Sequence, residues 1–430
     1  MINLGLAYLN YMSNLIDKHY INIGKVSYRY HELVIDRGQG TYIYDKNRKK
    51  YLDFTSGMAA NPLGHTHPRI IKTIQKQTKK IIHAGARVGI YEPQIKLAEE
   101  LKKICPGMKK DGQVVFANSG SEAIENALKF ARSATSKPII ISFLGAFHGR
   151  TLGATSVTAS RASYRRFSET IYNGTLQVPY PNYSFFTTDQ IIDLLKLYFK
   201  STLPITSVAG IIVEPILGEG GCIVPPKDFL PKIRKLCDKI DCLLILDEIQ
   251  TGIGRTGKWL AIDHYDNLSA DVYCLGKAIG GGFPVSAVIA KKDLMDKWAM
   301  GLHVGGTFAG NIVGCAAGLE TIKTIKDEHL VENANIMGKY LQNRLQQELS
   351  KFKIFISING IGLMIGIKLR SNHKNTQIFE REVLNKCIQE GIILTTCAEN
   401  TLRILPPLNI KKEDCDEFVK RITKVLSFYG

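Results

Sequence analysis

Between residues 110 and 290, short and continuous apolar runs alternate with longer amphipathic stretches. A strand that is apolar at every position is covered on both faces, whereas a strand with one solvent-facing side alternates apolar and polar residues. The pattern therefore predicts an α/β fold built on a mainly parallel sheet with helices on both faces. The runs that predict its strands are residues 114–116, 138–143, 209–213, 243–246, 272–275 and 287–290.

The regions on either side of this alternation have other patterns. Residues 32–54 alternate as short strands around a turn at 45–48, and residues 68–104 carry apolar side chains at helical spacing. A long helical stretch at 312–350 leads into a mixture of strand-like and helix-like segments. Because 430 residues exceed what one hydrophobic core usually organises, we predict a large domain followed by a smaller one, with a boundary near 325–335.

The chain is strongly basic, with a formal net charge of +17, but its lysines and arginines are dispersed along the sequence. Dispersed charge favours a lysine-rich composition over a nucleic-acid surface, and it creates a field that attracts acidic substrates and phosphates. The shares of apolar residues (45%) and charged residues (22%) are ordinary for a globular protein, which excludes disordered and collagen-like classes. We therefore expect no nucleic-acid partner.

Nine cysteines occur without a CxxC pair, and several of them, such as Cys242 and Cys274, lie inside apolar runs. This usage is typical of reduced core residues, and no metal site is predicted. The first residues lack the basic and apolar regions of a signal peptide, and no window approaches the ~18 apolar residues of a membrane span. The sequence therefore predicts a cytoplasmic protein that does not cross a membrane.

Two polar residues follow predicted strands. Asp247 comes directly after the run 243–246, and Lys277 lies in a glycine-rich segment after the run 272–275. In a parallel sheet, the carboxyl ends of such strands lie at one edge, where ligands bind. A lysine that forms a Schiff base with an aldehyde and a carboxylate that keeps a pyridine nitrogen protonated are what pyridoxal phosphate chemistry requires. The pair suggests an enzyme with this cofactor.

A third strand-end segment, Ser119-Gly120-Ser121, opens a helical stretch at 123–131. The first backbone N–H groups of a helix, the positive end of its dipole and two hydroxyl groups together suit a phosphate dianion. Taken alone, the segment is an ordinary helix N-cap. Because it falls in register with Asp247 and Lys277, we predict that it binds the cofactor phosphate.

The segment from Gly252 to Gly257 matches the GxGxxG pattern of dinucleotide-binding proteins, so a nicotinamide enzyme is an alternative. In that fold the first glycine follows its strand directly. Here the residues from Asp247 to Thr251 intervene. We therefore predict that these glycines form a loop that shapes the site.

The segment from Asp247 to Gly257 (Asp-Glu-Ile-Gln-Thr-Gly-Ile-Gly-Arg-Thr-Gly), together with Gly276-Lys277, resembles the signature of the class III pyridoxal phosphate aminotransferases. This family includes 4-aminobutyrate, acetylornithine and ornithine aminotransferases, and the resemblance extends from residues 51–54 to 403–407. It implies the fold type I architecture of aspartate aminotransferase, in a homodimer or higher homo-oligomer whose active sites are shared between subunits. It also implies that residues 1–67 and 329–430 build the small domain and residues 68–328 the large, cofactor-binding domain.

The resemblance assigns three residues to the cofactor ring. It makes Lys277 the Schiff-base lysine and the acid and base that moves the substrate proton, for which burial and the bound cofactor must lower its pKa. It pairs Asp247 with the pyridinium nitrogen, so that the ring remains an electron sink. Gln250 would contact the phenolic oxygen.

Three further residues match positions around the cofactor. Phe147 matches the aromatic side chain that stacks on the pyridine ring, with His148 beside it. Thr307 resembles the threonine that completes the phosphate site from the neighbouring subunit. Dissociation of the dimer should then also weaken cofactor binding.

Four residues concern the substrate. Arg150 matches the arginine that binds a substrate carboxylate, and Arg403 resembles the arginine that takes the α-carboxylate of glutamate or 2-oxoglutarate. Glu219 matches the acid that pairs with that arginine when an ω-amino donor is bound. Met58 is expected to line the pocket, and Glu214 is expected to brace the site. A structural surface salt bridge is the alternative for Glu219 and Arg403.

The leading hypothesis is an aminotransferase that moves an amino group from an ω-amino acid such as 4-aminobutyrate to 2-oxoglutarate, giving a semialdehyde and glutamate. An acetylornithine- or ornithine-type aminotransferase remains open. So does an amino-acid racemase of the same family, which would need no oxo acid. A nucleic-acid-binding or regulatory protein is suggested only by the +17 charge.

Overall fold

The computed structural model describes residues 15–24, 29–86, 88–166, 174–298, 305–371, 373 and 375–429. The strands, in chain order, are β1 (Ile35–Gln39), β2 (Tyr42–Asp45), β3 (Lys50–Asp53), β4 (Gly112–Ala117), β5 (Ile139–Phe143), β6 (Thr175–Val178), β7 (Val208–Val213), β8 (Leu243–Asp247), β9 (Val272–Leu275), β10 (Ser286–Lys291), β11 (Phe355–Ile361), β12 (Met364–Leu369), β13 (Ile392–Ile393), β14 (Thr395–Cys397) and β15 (Thr401–Ile404).

The longer helices alternate with these strands in the middle of the chain and follow them near its end. They are α1 (Pro68–Thr78), α2 (Glu92–Ile104), α3 (Gly120–Thr135), α4 (Leu152–Val157), α5 (Thr188–Ser201), α6 (Phe229–Ile240), α7 (Lys292–Asp296), α8 (Ile312–Asp327), α9 (Leu330–Leu349), α10 (Thr376–Gln389) and α11 (Lys412–Leu426). The helical stretch predicted at 312–350 is thus two helices. They are separated at His329, whose φ of 53° is left-handed.

The main sheet has seven strands in the order β4-β10-β9-β8-β7-β5-β6. Strand β10 is antiparallel to both of its neighbours, β4 and β9, and the other pairs are parallel. Since β4 and β9 both oppose β10, they point the same way, and β10 alone is reversed. The predicted α/β fold with a mainly parallel sheet is confirmed, and β6 adds an edge strand that was not predicted.

The sheet is covered on both faces, as its continuous apolar strands require. Successive residues of one strand enter different clusters: Leu244 and Leu246 pack in the largest core, whereas Leu243 and Ile245 pack in a second cluster with α3. Because both faces are buried, a polar residue on such a strand is costly unless it is satisfied. Polar residues therefore collect at the strand ends, where the candidate site forms.

Two four-stranded sheets lie outside this one, in the orders β1-β2-β3-β13 and β11-β12-β15-β14. Strand β13 pairs in parallel with β3, so that Ile392 lies beside Leu52. An early segment of the chain thus shares a sheet with a late one. This pairing supports the predicted small domain from residues 1–67 and 329–430; the boundaries themselves stay a prediction.

All nine cysteines are free and buried. Within the described parts of the chain, we find no helix with the length and apolar character to cross a membrane.

Candidate active site

Three strand ends bring the predicted cofactor residues together. Asp247 is the last residue of β8, Lys277 follows β9, and α3 begins at Gly120 after β4. The side chain of Ile249 lies between these segments, because a Cβ added to Gly276 would be 3.2 Å from Ile249 Cγ2 and 3.6 Å from the Gly120 Cα. The segments that sequence analysis placed at one sheet edge therefore adjoin one another.

Lys277 begins the turn that follows β9 and has a left-handed φ of 42°. Its side chain lines a cavity. Burial lowers the pKa of its ammonium group, and the nearby positive charge of Arg403 lowers that pKa further, while Asp247, Glu214 and Glu219 oppose the shift. A larger fraction of the amine is then neutral and able to accept a proton.

Asp247 is held by two donors. His148 Nδ1 donates to Asp247 Oδ2 across 2.8 Å, and the backbone N–H of Ile249 donates to Oδ1 across 3.0 Å. Both side chains of the pair are buried, and His148 Nε2 has no partner within the described residues. The carboxylate is therefore fixed in orientation at the strand end, as a partner of a pyridinium nitrogen must be.

Glu214 connects two loops of the site. One carboxylate oxygen accepts the N–H of Phe147 at 2.7 Å, and the other accepts the N–H of Gly218 at 3.0 Å. Burial raises the pKa of Glu214 to about 7, with His148 opposing and Asp247 reinforcing the shift. Through these bonds Glu214 braces the loop of the predicted stacking ring against the loop that carries Glu219.

Gln250 lines the same cavity as Lys277. Its Oε1 is buried and has no hydrogen-bond partner in the described structure. A Cβ added to Gly218 would lie 2.2 Å from Gln250 Nε2, so a larger residue there would displace the Gln250 amide. A buried amide group without a partner is costly, and a polar atom of a bound cofactor would satisfy it.

The start of α3 provides donors for a phosphate. Ser119 caps the helix by accepting the Glu122 N–H at 3.2 Å, and Ser121 Oγ accepts the Arg150 N–H at 3.2 Å. The backbone N–H groups of Gly120 and Ser121 make no hydrogen bond within the described residues. Two unused N–H groups at the positive end of a helix dipole suit a phosphate dianion. With Lys277, Asp247 and Gln250, they fit pyridoxal phosphate.

Thr307 is exposed and does not line the cavity with Lys277. Its neighbour Phe308 is also exposed and contacts His83, with 4.8 Å between the ring centroids. The residue before Thr307, Gly306, lies near the start of the phosphate segment, since a Cβ added to it would be 3.7 Å from Asn118 Nδ2. The predicted role of Thr307 in the neighbouring subunit's site stays a prediction.

Arg403 and Glu219 form an ion pair through Nη1 and Oε1. Both residues are buried, and Arg403 Nε also donates to Thr395 Oγ1 at 3.3 Å. Burial alone would lower the pKa of Arg403, but the Glu219 carboxylate, together with Cys397, Tyr30 and Cys222, raises it overall, so the arginine stays charged. Met58, with a left-handed φ of 62°, places its sulfur 3.9 Å from Arg403 Nη2. The pair is buried, which excludes the surface salt bridge considered above.

Arg150 is exposed and lines the same cavity. Its guanidinium lies over the Tyr164 ring, 4.0 Å from the centroid, and 5.7 Å from the centroid of Phe147. The rings of Phe147 and Tyr164 meet edge to face at 5.8 Å. These aromatic contacts fix the guanidinium plane without neutralising its charge, so the plane is available to a carboxylate.

The cavity that these residues line has a volume of about 490 Å³. Sequence reasoning identified some of its lining residues: Met58, Phe147, Arg150, Glu219, Gln250, Lys277 and Arg403. It missed others, which belong to no motif and come from distant parts of the chain: Tyr30, Arg161, Ser163, Tyr164, Gln377, Glu380 and Thr396.

The glycine-rich segment 252–257 packs against later parts of the chain. A Cβ at Gly257 would lie 2.8 Å from Asn335 Cβ, and one at Gly254 would lie 3.0 Å from Leu408 Cδ1. Arg255 is buried and donates to the carbonyl groups of Leu363 and Pro406. A loop covered in this way has no room for a dinucleotide.

The chain resembles known proteins along most of its length. Residues 23–426 match the family model described as Aminotransferase class-III. The chain is 36% identical over 394 residues to the acetylornithine aminotransferase of Archaeoglobus fulgidus, covering 92% of this chain and 96% of that protein. It is 35% identical over 386 residues to the 5-aminovalerate aminotransferase DavT of Pseudomonas aeruginosa, covering 88% and 90%.

Another relative and two solved structures extend this comparison. The alanine/serine racemase of Pyrococcus horikoshii is 33% identical over 410 residues, covering 92% of this chain and 85% of the racemase. The ornithine aminotransferase of Toxoplasma gondii superposes with a TM-score of 0.86 at 28% identity, covering 97% and 95%. A pyridoxal-phosphate-bound amine transaminase from an uncultivated Pseudomonas species superposes with a TM-score of 0.87 at 26% identity, covering 95% and 98%.

Proposed function

Because this chain belongs to the class III aminotransferases, whose cofactor is pyridoxal phosphate, we propose that it transfers the terminal amino group of an ω-amino acid to 2-oxoglutarate. The products are a semialdehyde and glutamate. The observation that carries the proposal is the buried Glu219–Arg403 ion pair in the cavity of Lys277. Because the ion pair lines the substrate cavity, a substrate carboxylate can replace Glu219 as the partner of the Arg403 guanidinium.

The ion pair explains how one cavity accepts two kinds of substrate. An ω-amino donor has no carboxylate next to its reacting carbon, so Arg403 remains paired with Glu219 and the pocket stays electrically balanced. 2-Oxoglutarate brings an α-carboxylate, which forms a two-pronged contact with Arg403 when Glu219 moves away. Arg150 binds the single carboxylate of the ω-amino donor and the second carboxylate of 2-oxoglutarate, because its charge is not neutralised by an acid among the described residues.

Pyridoxal phosphate, when bound, supplies the aldehyde that captures the amine and the ring that takes up electrons. Lys277 holds that aldehyde and moves a proton at the carbon that carries the amine. Asp247, oriented by His148, holds a proton on the ring nitrogen. The free N–H groups of Gly120 and Ser121 bind the phosphate.

Among donors we favour 4-aminobutyrate and similar ω-amino acids. The relative named 5-aminovalerate aminotransferase supports this class of donor, since 5-aminovalerate carries its amine at the end of the chain. An acetylornithine- or ornithine-type activity is the nearest alternative. The number of carbon atoms in the preferred donor distinguishes these activities.

We also propose a homodimer with shared sites. Ile82, Val88, Ile90 and Phe308 are exposed apolar side chains, and Phe308 is next to Thr307. Such a set of exposed apolar residues is typical of an interface. A cytoplasmic location is part of the proposal as well, and the nine free cysteines support it.

Racemisation is the second candidate function, because a relative at 33% identity is named alanine/serine racemase. In that reaction Lys277 would remove the α-proton and the proton would return on the opposite face. No oxo acid would be consumed. The Glu219–Arg403 pair favours transamination, since a racemase has one substrate and needs no exchange of partners at Arg403.

The deciding experiment follows the absorbance of the holoenzyme while 4-aminobutyrate, N-acetylornithine, ornithine or leucine is added without an oxo acid. The band of the cofactor bound through Lys277 should fall with the true donor and return when 2-oxoglutarate is added. A band that stays while an optically pure amino acid loses its handedness would establish racemisation instead. The Lys277→Ala variant, which should retain the fold and lose the band and the turnover, is the control.

A further inference from the structure

The turn between β14 and β15 has a strained backbone. It consists of Ala398, Glu399 and Asn400, and both Ala398 and Asn400 have a left-handed φ of 50°. A left-handed backbone is costly for residues other than glycine, and it persists where the surrounding structure fixes it. This segment, the 398–400 turn, therefore needs partners that hold it in place.

Two cations bind carbonyl groups of the 398–400 turn. Arg161 Nη2 donates to the Ala398 carbonyl at 3.1 Å, and Lys368 Nζ donates to the Glu399 carbonyl at 2.7 Å. Hydrogen bonds with one charged partner are roughly twice as strong as neutral ones. Arg161 follows α4 and Lys368 belongs to β12, so segments far apart in the sequence fix the same turn.

A buried acid holds the third residue of the turn. Glu380, on α10, accepts the N–H of Asn400 through Oε1 at 2.8 Å and the hydroxyl of Thr396 through Oε2 at 3.2 Å. Only 7% of Glu380 is exposed, and burying a charge is costly unless the charge is well bound. The carboxylate of Glu380 thus fastens the end of the turn to strand β14.

The same turn holds the loop that carries Glu219. The N–H of Ala398 donates to the Glu219 carbonyl at 2.7 Å, and a Cβ added to Gly221 would lie 3.5 Å from Ala398 Cβ. Cys222 and Cys397, which flank this contact, lie in one buried cluster. A shift of the turn would therefore move the main chain of Glu219, and with it the carboxylate.

We propose that the 398–400 turn is a brace that sets the strength of the Glu219–Arg403 ion pair, with Glu380 as a positioning residue. The brace holds the Glu219 carboxylate against Arg403. A substrate with an α-carboxylate has to displace Glu219, so the brace weakens the binding of that substrate and favours an ω-amino donor. The inference rests on the exchange at Arg403 in the proposed function.

Two carboxylic acids that do not react measure the strength of the ion pair. Glutarate is 2-oxoglutarate without the oxo group and has to displace Glu219, whereas butyrate is 4-aminobutyrate without the amine and leaves the pair in place. Calorimetric titration of the holoenzyme gives both Kd values. In Glu219→Gln the Kd of glutarate should fall about tenfold or more, because no carboxylate competes for Arg403. The Kd of butyrate should change little.

Loosening the brace should act in the same direction. In Glu380→Ala the Kd of glutarate should fall about three- to tenfold, with little change for butyrate. Lys368→Met removes the donor to Glu399 from outside the lining of the reaction cavity, and it should also lower the Kd of glutarate. Glu380→Gln keeps an acceptor for Asn400 and should stay close to the wild type. Glu382→Ala, at an exposed position of the same helix, is the control.

A double-mutant cycle tests whether the brace acts through Glu219. In the Glu219→Gln protein, adding Glu380→Ala should change the Kd of glutarate by less than about twofold, because the competing carboxylate is already absent. An equal change with and without the Glu219 charge would refute the brace. Equal changes for glutarate and butyrate would also refute it, since Glu380 would then support only the fold.

Turnover separates this inference from the proposed function. If terminal amines are converted but Glu380→Ala leaves the Kd of glutarate unchanged, the brace is refuted and the proposed function stands. If no terminal amine is converted, the proposed function fails, and a lower Kd of glutarate in Glu380→Ala still supports the brace. If Glu219→Gln leaves the Kd of glutarate unchanged, the exchange at Arg403 fails and the brace fails with it.

Discussion

Three neighbouring carboxylates, Glu214, Asp247 and Glu248, are buried beside the cofactor site. Each accepts hydrogen bonds from backbone N–H groups: Glu214 from two, Asp247 from one and Glu248 from two. Such bonds fix the carboxylates in direction but do not remove the cost of burying a charge. Glu248 contacts Thr251, Ala261 and Ile262 and is not assigned to cofactor or substrate, which makes it a suitable probe of that cost.

Glu248→Gln should change how stability depends on pH. Burial raises the pKa of Glu248 to about 7 in the folded protein, from 4.5 for an ordinary glutamate. The folded state then holds the Glu248 proton more tightly than the unfolded state does. The contribution of this proton to the free energy of unfolding is therefore greatest below pH 4.5 and is lost as the pH rises through 7. At pH 8 the free energy of unfolding of the variant should exceed that of the wild type by on the order of 3 kcal/mol. At pH 4.5 the two free energies of unfolding should be similar.

Denaturant midpoints of the holoenzyme at a series of pH values measure this difference. The comparison between the two proteins cancels the contribution of Glu214, which titrates in both. Parallel curves with no pH-dependent gap would show that Glu248 stays ionised in the folded state.

Arg403→Ala should separate the two half-reactions. 2-Oxoglutarate loses the guanidinium partner of its α-carboxylate, and Glu219 is left buried without its cation. We expect kcat/KM to fall about hundredfold or more for the 2-oxoglutarate half-reaction and by less than about tenfold for the ω-amine half-reaction. Single-turnover absorbance traces give both rates. Arg403→Lys keeps the charge without the fork and should be intermediate; equal losses in both half-reactions would refute the exchange at Arg403.

At the scale of secondary-structure elements, the strands of the main sheet were predictable because both of their faces are buried. Leu243 to Leu246 are all buried, and the sequence shows this as an unbroken apolar run. Strand β6 was not predictable, because this edge strand (Thr-Leu-Gln-Val) is only partly buried. The reversed direction of β10 leaves no trace in its composition either, since direction depends on the connections between strands.

The candidate site was predictable where its residues follow strands or match a motif, as Lys277, Asp247 and Ser121 do. Tyr30 and Glu380 gave no such signal. Glu380 lies on a helix, where an acid is ordinarily solvated, and only its contacts with Thr396 of β14 and with Asn400 in the following turn show that it is buried. Contacts between distant segments are a property of the packed chain and not of local pattern.

Helix α9 depends on a close contact with the turn between β11 and β12. A Cβ added to Gly338 would overlap the backbone of Gly362, and a Cβ at Gly362 would overlap Thr256. Backbone atoms at such a contact cannot rotate away as a side chain does. In an open helix, replacing glycine by alanine stabilises by ~1 kcal/mol. Here Gly338→Ala should instead destabilise by about 2 kcal/mol or more, because the contact is overpacked.

Thermal or denaturant unfolding of the holoenzyme measures this change. Gln347→Ala, at an exposed position of the same helix, is the control and should be neutral or slightly stabilising. A Gly338→Ala variant as stable as this control would show that α9 moves away from the turn without cost.

At the scale of the whole molecule, the exposed apolar residues near Thr307 predict how assembly and cofactor binding are linked. Ile90→Asp places a charge in the same exposed apolar stretch of sequence as Ile82 and Val88 and should produce monomers. If the partner subunit completes the phosphate site, the same variant should bind pyridoxal phosphate about tenfold or more weakly. Phe185→Asp replaces another exposed apolar side chain and is the control. Sedimentation and cofactor titration measure both effects, and monomers with unchanged cofactor affinity would exclude a shared site.

The parallel pairing of β3 with β13 determines when the sheet that contains β3 can be completed. During synthesis, the strands β1 to β3 leave the ribosome first, whereas Ile392 and Ile393 emerge near the end. Until then the outer edge of β3 has no partner, and unpaired edges invite association with other chains. The main sheet, complete by residue 291, can form earlier. A chain released before β13 would therefore carry a formed main sheet, with its cofactor residues, and an unpaired edge of β3. Quality-control proteases and chaperones would have the unpaired edge of β3 to recognise.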